Sequence, residues 1–374
     1  MDQYDELVKA ALVDGTYKPN RTAIDTISSF GQHYTIDLQN GFPLLTTKDM
    51  SGPLWDSIVY ELCWYLSGVQ HVQTLQKQTS IWDEWSDENG YLDTAYGRFW
   101  RRYPIPHPSQ NENNQSDGFS NSQRLPGETW ADETHPDVNI RSENDDGTFE
   151  HTISDYVDVV DDEYTFDQIK YAIEKLANSP GSRRAVVVSW HPANASVSTL
   201  PQCHYTFVLN IQGNDLNVHL TQRSGDIALG IPFNIAAYSI LTHLFANEIR
   251  RIGGPNLQPG KFSHTIVDAH IYCGSGERGE WYGSNDIRKR IENDIVDDSV
   301  DLNKTASWIE SNAPPEENEN EDHVPNLLRQ LTRDEYEKPS ISIDEKTPIN
   351  DISPSSIELS GYESHDRLKF YVAE

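Results

Sequence analysis

The sequence has few cysteines, few basic residues and no long apolar run. Only three cysteines occur in 374 residues, Cys63, Cys203 and Cys273, which argues against a disulfide framework and favours a reducing compartment, the cytoplasm. No apolar run has the length of a membrane span, and the opening MDQYDELVKA lacks the basic-then-apolar pattern of a signal peptide. Neither a C-x-x-C pair nor an H-E-x-x-H motif occurs, so we expect no zinc site.

Acidic residues strongly outnumber basic ones. Asp and Glu total 59 against 29 Lys and Arg, for a net charge of −30. Such a surface repels phosphate backbones, which disfavours nucleic acid as a partner. Two readings of the acidity remain open, adaptation to very high salt and an ordinary acidic protein with disordered acidic loops. We favour salt adaptation, because screening removes the self-repulsion of such a surface.

Two acidic segments interrupt a chain that is otherwise strongly patterned. The segment at about 104–165 has 15 acidic and 2 basic residues and the composition of a loop or of disorder. The segment at about 274–322 ends in NAPPEENENED and holds one candidate helix around IRKRIENDIV. Hydrophobic residues, at 36%, suffice for a core. We therefore predict a single domain over 1–374 with two acidic insertions.

The hydrophobic periodicity predicts both helices and strands. GPLWDSIVYELCWYLSG reads as a helix whose apolar stripe includes the carboxylate of Glu61. AVVVSW reads as a strand, and YTFVLNIQGNDLNVHL as a hairpin that turns at Gly213 and Asn214. IAAYSILTHLFANEI reads as a long core helix. The strand FSHTIVDAHIYC places four polar or aromatic residues on one face, His264, Asp268, His270 and Tyr272.

These elements predict an α/β (α+β) fold, a mixed and bent sheet with a long buried core helix and flanking helices. Cys203, in TLPQCHYTF, directly precedes a predicted strand. A thiol there is either a small buried apolar group or a nucleophile with local partners. Polar residues cluster shortly after the hairpin, in QRSGDIALGIPFNIA, where Gly230 and Pro232 are expected to shape a turn. Their clustering favours a functional site over isolated buried polar groups.

The sequence contains a series of motifs that resembles, in wording and order, that of folate-dependent thymidylate synthases. The motifs are PQCH, QRSGDIALGIPFNIA and DAHIY, together with GFPLLTTK, ELCWYLSG, SIWDEWSDENG, YGRFW and the closing GYESH. The resemblance covers nearly the whole chain outside the acidic segments. It implies a sheet-faced homodimer, dUMP as substrate, and 5,10-methylenetetrahydrofolate as donor of one carbon and a hydride. No metal is implied.

In such an enzyme the cysteine, here Cys203, adds as a thiolate to C6 of uracil, and the resulting enolate attacks the folate's one-carbon unit. The resemblance implies that Arg223 favours the thiolate. Glu61, on its apolar stripe, should have a raised pKa and exchange protons near O4 through water. Asn234 would pair with O4 and N3–H, which favours dUMP over dCMP.

Further roles are implied by the same resemblance. Tyr96 matches the tyrosine linked to loss of the C5 proton, Asp226 the residue that holds the pterin, and His204 a residue that orders the site. The implied substrate-binding set is Arg21, Arg183, Arg184, Ser224, Gln222, Gly230, Asn234, His270 and Tyr272, with Arg183 and Arg184 reaching the partner's phosphate site. The implied folate-binding set is Lys48, Ile81, Trp82, Trp85, Asp226 and Ala373. Core packing is the alternative for the two tryptophans.

Several positions depart from the family pattern. Gln202 stands where a second proline is usual, and we expect it to loosen the turn that aims Cys203. The phosphate loop after Arg21 reads AID without its glycine. The family's Asn-His after the tyrosine of DAHIY is replaced, and Asp322-His323 is the candidate equivalent. The chain ends in Glu374, which should weaken closure of the tail over the folate unless salt screens it.

The alternatives to reductive methylation are a dUMP hydroxymethylase and a non-catalytic nucleotide- or RNA-binding homologue. Water replaces the hydride in the first, and Trp82, which would help to exclude water, favours the synthase. The intact set of candidate catalytic residues argues against the second, as does the net charge.

Overall fold

The computed structural model of the chain describes residues 1–20, 24–92, 94–105, 139–143, 149–153, 156–160, 163–192, 195 and 200–372. The predicted site residues Arg21 and Ala373 lie outside these ranges, as do Glu374 and most of the first acidic segment. Within the described residues, no helix is long and apolar enough to cross a membrane.

The described residues form helices and strands in alternating groups. The helices are α1 Asp2–Asp14, α2 Pro53–Ser67, α3 Tyr96–Arg101, α4 Gln168–Asn178, α5 Gly230–Arg251, α6 Gly276–Tyr282, α7 Asn285–Val296, α8 Leu302–Asn312 and α9 Val324–Leu331. The strands are β1 Thr16–Lys18, β2 Ile24–Asp37, β3 Tyr103–Ile105, β4 Asn139–Glu143, β5 Phe149–Ile153, β6 Val157–Val160, β7 Glu163–Phe166, β8 Val186–Val188, β9 His204–Gln212, β10 Asp215–Asp226, β11 Gln258–Ser275, β12 Ser340–Ile343 and β13 Ile357–Ser360.

The main sheet has six strands in the order β1-β2-β11-β10-β9-β8. The β10–β11 pair is parallel, and its other pairs are antiparallel. Register shifts interrupt three ladders, including the one between Thr221 and Gln222 in β10, and such irregularities bend a sheet. The predicted mixed sheet is therefore confirmed.

The predicted hairpin and core helix are both present. Gly213, at φ +64°, and Asn214 turn the chain from β9 into β10, a left-handed conformation that glycine adopts without strain. Helix α5 packs against β10 and β11 with most of its residues buried. It begins at Gly230, so Gly230 and Pro232 lie in its first turn and not, as predicted, in a connecting turn. A proline fits there, because the first-turn amides have no partner within the helix.

Helices α2 and α3 carry two of the predicted catalytic residues, Glu61 and Tyr96. Gly97, in α3, lets the two helices meet, because a Cβ at that position would lie 2.4 Å from the carbonyl oxygen of Tyr65. The contact brings the ring of Tyr96 to 5.1 Å from that of Tyr65, between centroids. On α2, Ile58 and Leu62 are fully buried on the predicted stripe that also carries Glu61.

The second acidic segment folds into three helices, α6, α7 and α8, and not only the one predicted. The predicted helix is α7. Each helix buries a few apolar side chains, among them Tyr282, Ile291 and Ile309, while its other faces stay polar. The described parts of the first acidic segment contain short strands, where loop or disorder was expected. Whether both segments are insertions in one domain stays a prediction.

Candidate active site

The turn before β9 holds Cys203 by its backbone. Arg223 donates from Nε to the carbonyl oxygen of Gln202 at 3.0 Å and from Nη2 to that of Pro201. Its own amide donates to the carbonyl oxygen of Cys203 at 2.8 Å. Gln202, which we expected to loosen the turn, is instead buried and donates from Nε2 to the carbonyl oxygen of Thr94 at 2.5 Å. Gln202, which replaces the usual proline, therefore ties the turn to the loop that precedes α3.

Tyr96 and His204 complete the surroundings of the cysteine. The amide of Cys203 donates to the hydroxyl of Tyr96 at 2.7 Å. The Tyr96 ring stacks on His204 with centroids 3.7 Å apart and planes 6° from parallel. His204 Nδ1 lies 2.8 Å from the Tyr238 hydroxyl, and burial lowers the pKa of His204 to about 3. The imidazole is therefore neutral at neutral pH and is not protonated to the imidazolium. That His204 orders the site stays a prediction.

Glu61 lies among aromatic side chains. Its Oε1 accepts a hydrogen bond from Trp82 Nε1 at 2.7 Å. Burial raises the pKa of Glu61 to about 7, and hydrogen bonds from Tyr65 and Trp82 oppose the shift only in part. The direction is the one predicted from its position on an apolar stripe. Trp85 meets Trp82 edge to face at 5.7 Å, and both pack partly buried against the core.

A buried hydrogen-bonded chain fixes the amide of Asn234. Asn234 Nδ2 donates to Gln222 Oε1 at 3.0 Å, and His264 Nε2 lies 3.0 Å from the same oxygen. The hydroxyl of Tyr34 lies 2.7 Å from His264 Nδ1. Burial holds the pKa of His264 well below its usual value, so the neutral ring accepts from Tyr34 and donates to Gln222. Sequence reasoning did not identify Tyr34, because only tertiary structure brings β2 beside β11.

The ladder between β10 and β11 aligns the remaining polar residues. Ser224 pairs with Asp268, and Asp226 pairs with His270. The rings of His270 and Tyr272 meet edge to face at 5.2 Å. Asp268 accepts from Ser28 Oγ at 2.8 Å and pairs with Lys18. The strand face predicted from alternation therefore lies next to the Ser224–Asp226 stretch.

The candidate pair Asp322-His323 returns to the end of β11. The amide of His323 donates to the carbonyl oxygen of Tyr272 at 3.0 Å, and Asp322 forms a bridge with Cys273. His323 Nδ1 lies 3.8 Å from Asp226 Oδ1. The chain thus leaves β11 after Ser275, passes through three helices, and comes back to the position at which it left.

A cavity of about 530 Å³ lies between the start of α2 and the C-terminal tail. Its lining includes apolar Leu54, Phe233 and Phe370 and cationic Arg367 and Lys369. This combination suits a ligand with a flat ring and an anionic end. None of these five belongs to the predicted folate-binding set, although Phe233 lies within QRSGDIALGIPFNIA, because a motif does not show which of its side chains face a cavity.

Lys48 also lines this cavity but is held by the protein. Its Nζ donates to the carbonyl oxygen of Ala228 and lies 4.8 Å from the centroid of the Phe370 ring. Burial lowers the pKa of Lys48 to about 7. The resemblance also implies that Lys48 meets the glutamate tail of the folate, and that contact stays a prediction.

Three other predicted residues lie on the surface. Arg183 and Arg184 are exposed in the link from α4 to the edge strand β8. Ile81 is 36% exposed, next to Trp82. The described residues contain no group of three or more side chains able to hold a metal ion.

A cysteine held by its backbone, a carboxyl of raised pKa and a ligand cavity on one mixed α/β fold are features of an enzyme. The thymidylate synthase family model matches residues 2–374. The chain is 47% identical over 374 residues to the thymidylate synthase of Haloferax volcanii, covering 99% of this chain and 96% of that protein. The chain belongs to the thymidylate synthase family.

Membership gives the reaction, the methylation of dUMP to dTMP with methylenetetrahydrofolate as co-substrate. The chain is a methyltransferase, and a hydroxymethylase is not favoured. Members of the family are typically dimers. A relative from a halophile agrees with the salt adaptation expected from the net charge.

Proposed function

We propose that Cys203 is the nucleophile of this reaction. Its backbone is held from two sides, by Arg223 and by Tyr96, in a position from which the thiolate can attack. The observation that carries the proposal is the pair of contacts around it. Arg223 binds the two carbonyls before the cysteine, and the Tyr96 hydroxyl accepts the cysteine amide at 2.7 Å. A nucleophile held in this way needs little reorganisation to reach C6 of the base. The fixed cation of Arg223 also favours the thiolate.

Glu61 is the group that exchanges protons on the base. A carboxyl with a pKa of about 7 changes protonation readily at neutral pH. Trp82 orients it by the 2.7 Å hydrogen bond to Oε1. Tyr96, which stacks on the neutral His204 beside Cys203, takes part in removing the proton from C5 of the base.

The base is read by Asn234, whose amide is oriented by Gln222. Gln222 Oε1 accepts from Asn234 at 3.0 Å and Gln222 Nε2 donates to the carbonyl oxygen of Ser224 at 2.8 Å. The ribose lies against His270 and Tyr272. Gly230, at the start of α5, leaves the backbone accessible there.

The cavity beside the tail takes the co-substrate, which supplies the one-carbon unit and the hydride. The fit rests on its apolar walls and on Arg367 and Lys369 for an anionic end. His323, whose buried Nδ1 has no hydrogen-bond partner, packs on Phe370 of this lining. Trp82, which is hydrogen-bonded to Glu61, and Trp85, which packs on Trp82, contact the co-substrate from the Glu61 side. Asp226 holds the pterin ring, and Lys48 meets the glutamate tail.

Two finer proposals concern the dimer and the cellular compartment. In a dimer, the exposed Arg183 and Arg184 reach the phosphate site of the partner, where they join Arg21 and Arg223. Two further cations strengthen the hold on a dianion in strong salt. The three cysteines form no disulfide, which suits a reducing cytoplasm.

A product assay at molar salt tests this function. The protein is mixed with dUMP and methylenetetrahydrofolate, and nucleotide and folate products are identified by mass. Cys203→Ala should form no dTMP, whereas Cys63→Ala, which changes a thiol on α2 away from the proposed machinery, should retain it. If the products are hydroxymethyl-dUMP and tetrahydrofolate, the enzyme is a hydroxymethylase and the proposed methylation is wrong. Turnover by Cys203→Ala would remove Cys203 as the nucleophile.

A further inference from the structure

The loop that closes the second acidic segment, residues 316–323, is built by its own carboxylates. Glu316 accepts from the amide of Asn320 at 3.3 Å and from that of Asp322 at 2.8 Å. Asn320 has a φ of +68°, a left-handed conformation that asparagine tolerates better than most residues. Ser275 Oγ donates to Glu321 at 2.7 Å. These contacts give the loop one defined shape.

A buried ion pair anchors this loop to α6. Arg278 donates to Asp322 Oδ2 from Nε at 2.9 Å and from Nη2 at 2.7 Å. The Tyr282 hydroxyl donates to the same oxygen at 2.6 Å, and the amide of Val324 donates to Oδ1 at 3.0 Å. Both oxygens of this fully buried carboxylate are thus satisfied. The anchor fixes the residue that follows it, His323.

The same loop holds the C-terminal tail through both backbone groups of Tyr371. The amide of Tyr371 donates to the carbonyl oxygen of Asn320 at 3.0 Å. Its carbonyl oxygen accepts from His323 Nε2 at 3.0 Å. The neighbouring Phe370 ring lies edge to face with the imidazole at 5.1 Å. Two hydrogen bonds on one residue fix both the position and the direction of the tail.

The second nitrogen of His323 points towards Asp226. The side chain is fully buried, and its Nδ1 has no hydrogen-bond partner at 3.8 Å from Asp226 Oδ1. Burial lowers the pKa of His323, so the ring is neutral at neutral pH and carries its hydrogen on Nε2. Nδ1 is then an acceptor beside a carboxylate oxygen. Asp226 Oδ1 accepts the amide of Ala228 at 2.9 Å and has a further lone pair, whereas Nδ1 has no donor. One N–H group placed near both would satisfy Nδ1 and add a second hydrogen bond to Oδ1.

We infer that loop 316–323 is a preformed docking site for the C-terminal tail and that His323 is a positioning residue, which joins the tail to an acceptor pair with Asp226 for an N–H group of the co-substrate. The inference rests on the proposed function for the identity of that ligand. The acidic segment thus orders the lid of the co-substrate cavity.

Two substitutions of His323 separate its two nitrogens. In His323→Gln, the amide nitrogen replaces Nε2 and keeps the bond to Tyr371, but the Nδ1 acceptor is lost. In His323→Asn, the shorter amide replaces Nδ1 and cannot reach Tyr371. Trypsin cleavage after Arg367 or Lys369 in the ligand-free protein reports the tail, and KM for methylenetetrahydrofolate reports the acceptor pair.

Tail cleavage in His323→Asn should be at least about fivefold faster than in the wild type, because local opening exposes the sites. His323→Gln should keep wild-type protection and raise KM by about tenfold, the cost of one hydrogen bond. The Kd of dUMP should stay unchanged in both. Wild-type tail protection in His323→Asn would overturn the docking site, and a wild-type KM in His323→Gln would overturn the acceptor pair.

A second pair of variants leaves the interior intact. Tyr371→Pro removes the amide that donates to Asn320, and Tyr371→Phe keeps it. The proline variant should be cleaved faster and the phenylalanine variant at the wild-type rate; equal rates in the two would contradict the docking site. Since cleavage needs no turnover, an inactive protein with this order of rates would refute the proposed function and leave the docking site standing.

Discussion

Glu61 and Asp322 are two carboxyl groups whose pKa values are raised by burial, and their hydrogen-bond partners differ. Burial raises the pKa of Glu61 to about 7 and that of Asp322 to about 6. Glu61 receives hydrogen bonds from neutral donors, Trp82 and Tyr65. Asp322 receives a double hydrogen bond from the guanidinium of Arg278, together with Tyr282 and a backbone amide.

The difference separates chemistry from anchoring. A buried carboxyl with only neutral donors gains and loses its proton at low cost near neutral pH, which a proton-exchanging group requires. A buried carboxylate that faces a cation stays charged and fixes its neighbours, and it becomes costly to disturb. Changes at Glu61 should therefore alter turnover, and changes at Asp322 should alter stability and the tail.

The largest effect is expected on turnover from Glu61→Gln. The amide keeps the shape but cannot exchange protons, so kcat should fall by about 10²- to 10⁴-fold. Stability at pH 7 should not fall, because the variant no longer buries an ionisable group. Steady-state kinetics with thermal unfolding on the same sample checks both. A stable variant with wild-type kcat would refute the assignment of Glu61.

The reverse pattern is expected from Arg278→Met. Leaving Asp322 buried without its cation should cost about 3–5 kcal/mol of unfolding free energy, measured by denaturant titration. The double variant Arg278→Met/Asp322→Asn should recover part of that loss, because it leaves no unpaired buried charge. The amide oxygen can accept from Val324, as Oδ1 does, and the amide nitrogen in place of Oδ2 can donate to the Tyr282 hydroxyl. A single variant as stable as the wild type would show that the ion pair is no anchor.

A smaller effect is the pH dependence of stability contributed by Glu61. Its folded pKa of about 7 exceeds the usual value of 4.5, so between these values the unfolded chain releases a proton that the folded protein retains. Stability is then lost as pH rises through this window, by up to about 3 kcal/mol. The buried histidines act in the opposite direction, so total stability is not diagnostic.

The difference between Glu61→Gln and the wild type isolates this contribution. The variant's advantage in unfolding free energy should be near zero at pH 4.5 and should grow up to pH 7.5. Denaturant titrations of both proteins at four pH values measure it. A difference that stays constant with pH would mean that the pKa of Glu61 is not raised.

The sequence predicted the regular part of the fold because that part has a period. Helix α2, the hairpin β9–β10, helix α5 and strand β11 all follow from apolar spacing, and so does the raised pKa of Glu61. Recognised motifs supplied Cys203 and Arg223, but not how they are held. The bond from Gln202 to the carbonyl oxygen of Thr94 joins residues 108 positions apart, which no local pattern encodes.

The sequence also failed in the second acidic segment for a physical reason. Helices α6 and α8 each bury only a few side chains, so their apolar stripes are too sparse to stand out among acidic residues. No local contact was predicted for the acidic run at 316–323, where Glu316 and Glu321 accept hydrogen bonds that shape the loop. Composition shows that a segment carries carboxylates, but it does not show which amides donate hydrogen bonds to them.

The smallest effect sharpens the comparison at Glu61 itself. Trp82→Phe keeps an aromatic ring against the carboxyl but removes the N–H that donates to Oε1 at 2.7 Å. That hydrogen bond favours the ionised form, so its loss should move the limb of the kcat profile that reports Glu61 to higher pH by less than about one unit. Trp85→Phe is the matched control, since Trp85 packs on Trp82 and the bond to Glu61 comes from Trp82. Profiles at saturating substrates should shift in the first variant and not in the second. An equal shift in both would assign the effect to aromatic packing. The pKa of Glu61 would then be set by burial alone and not by the hydrogen bond from Trp82.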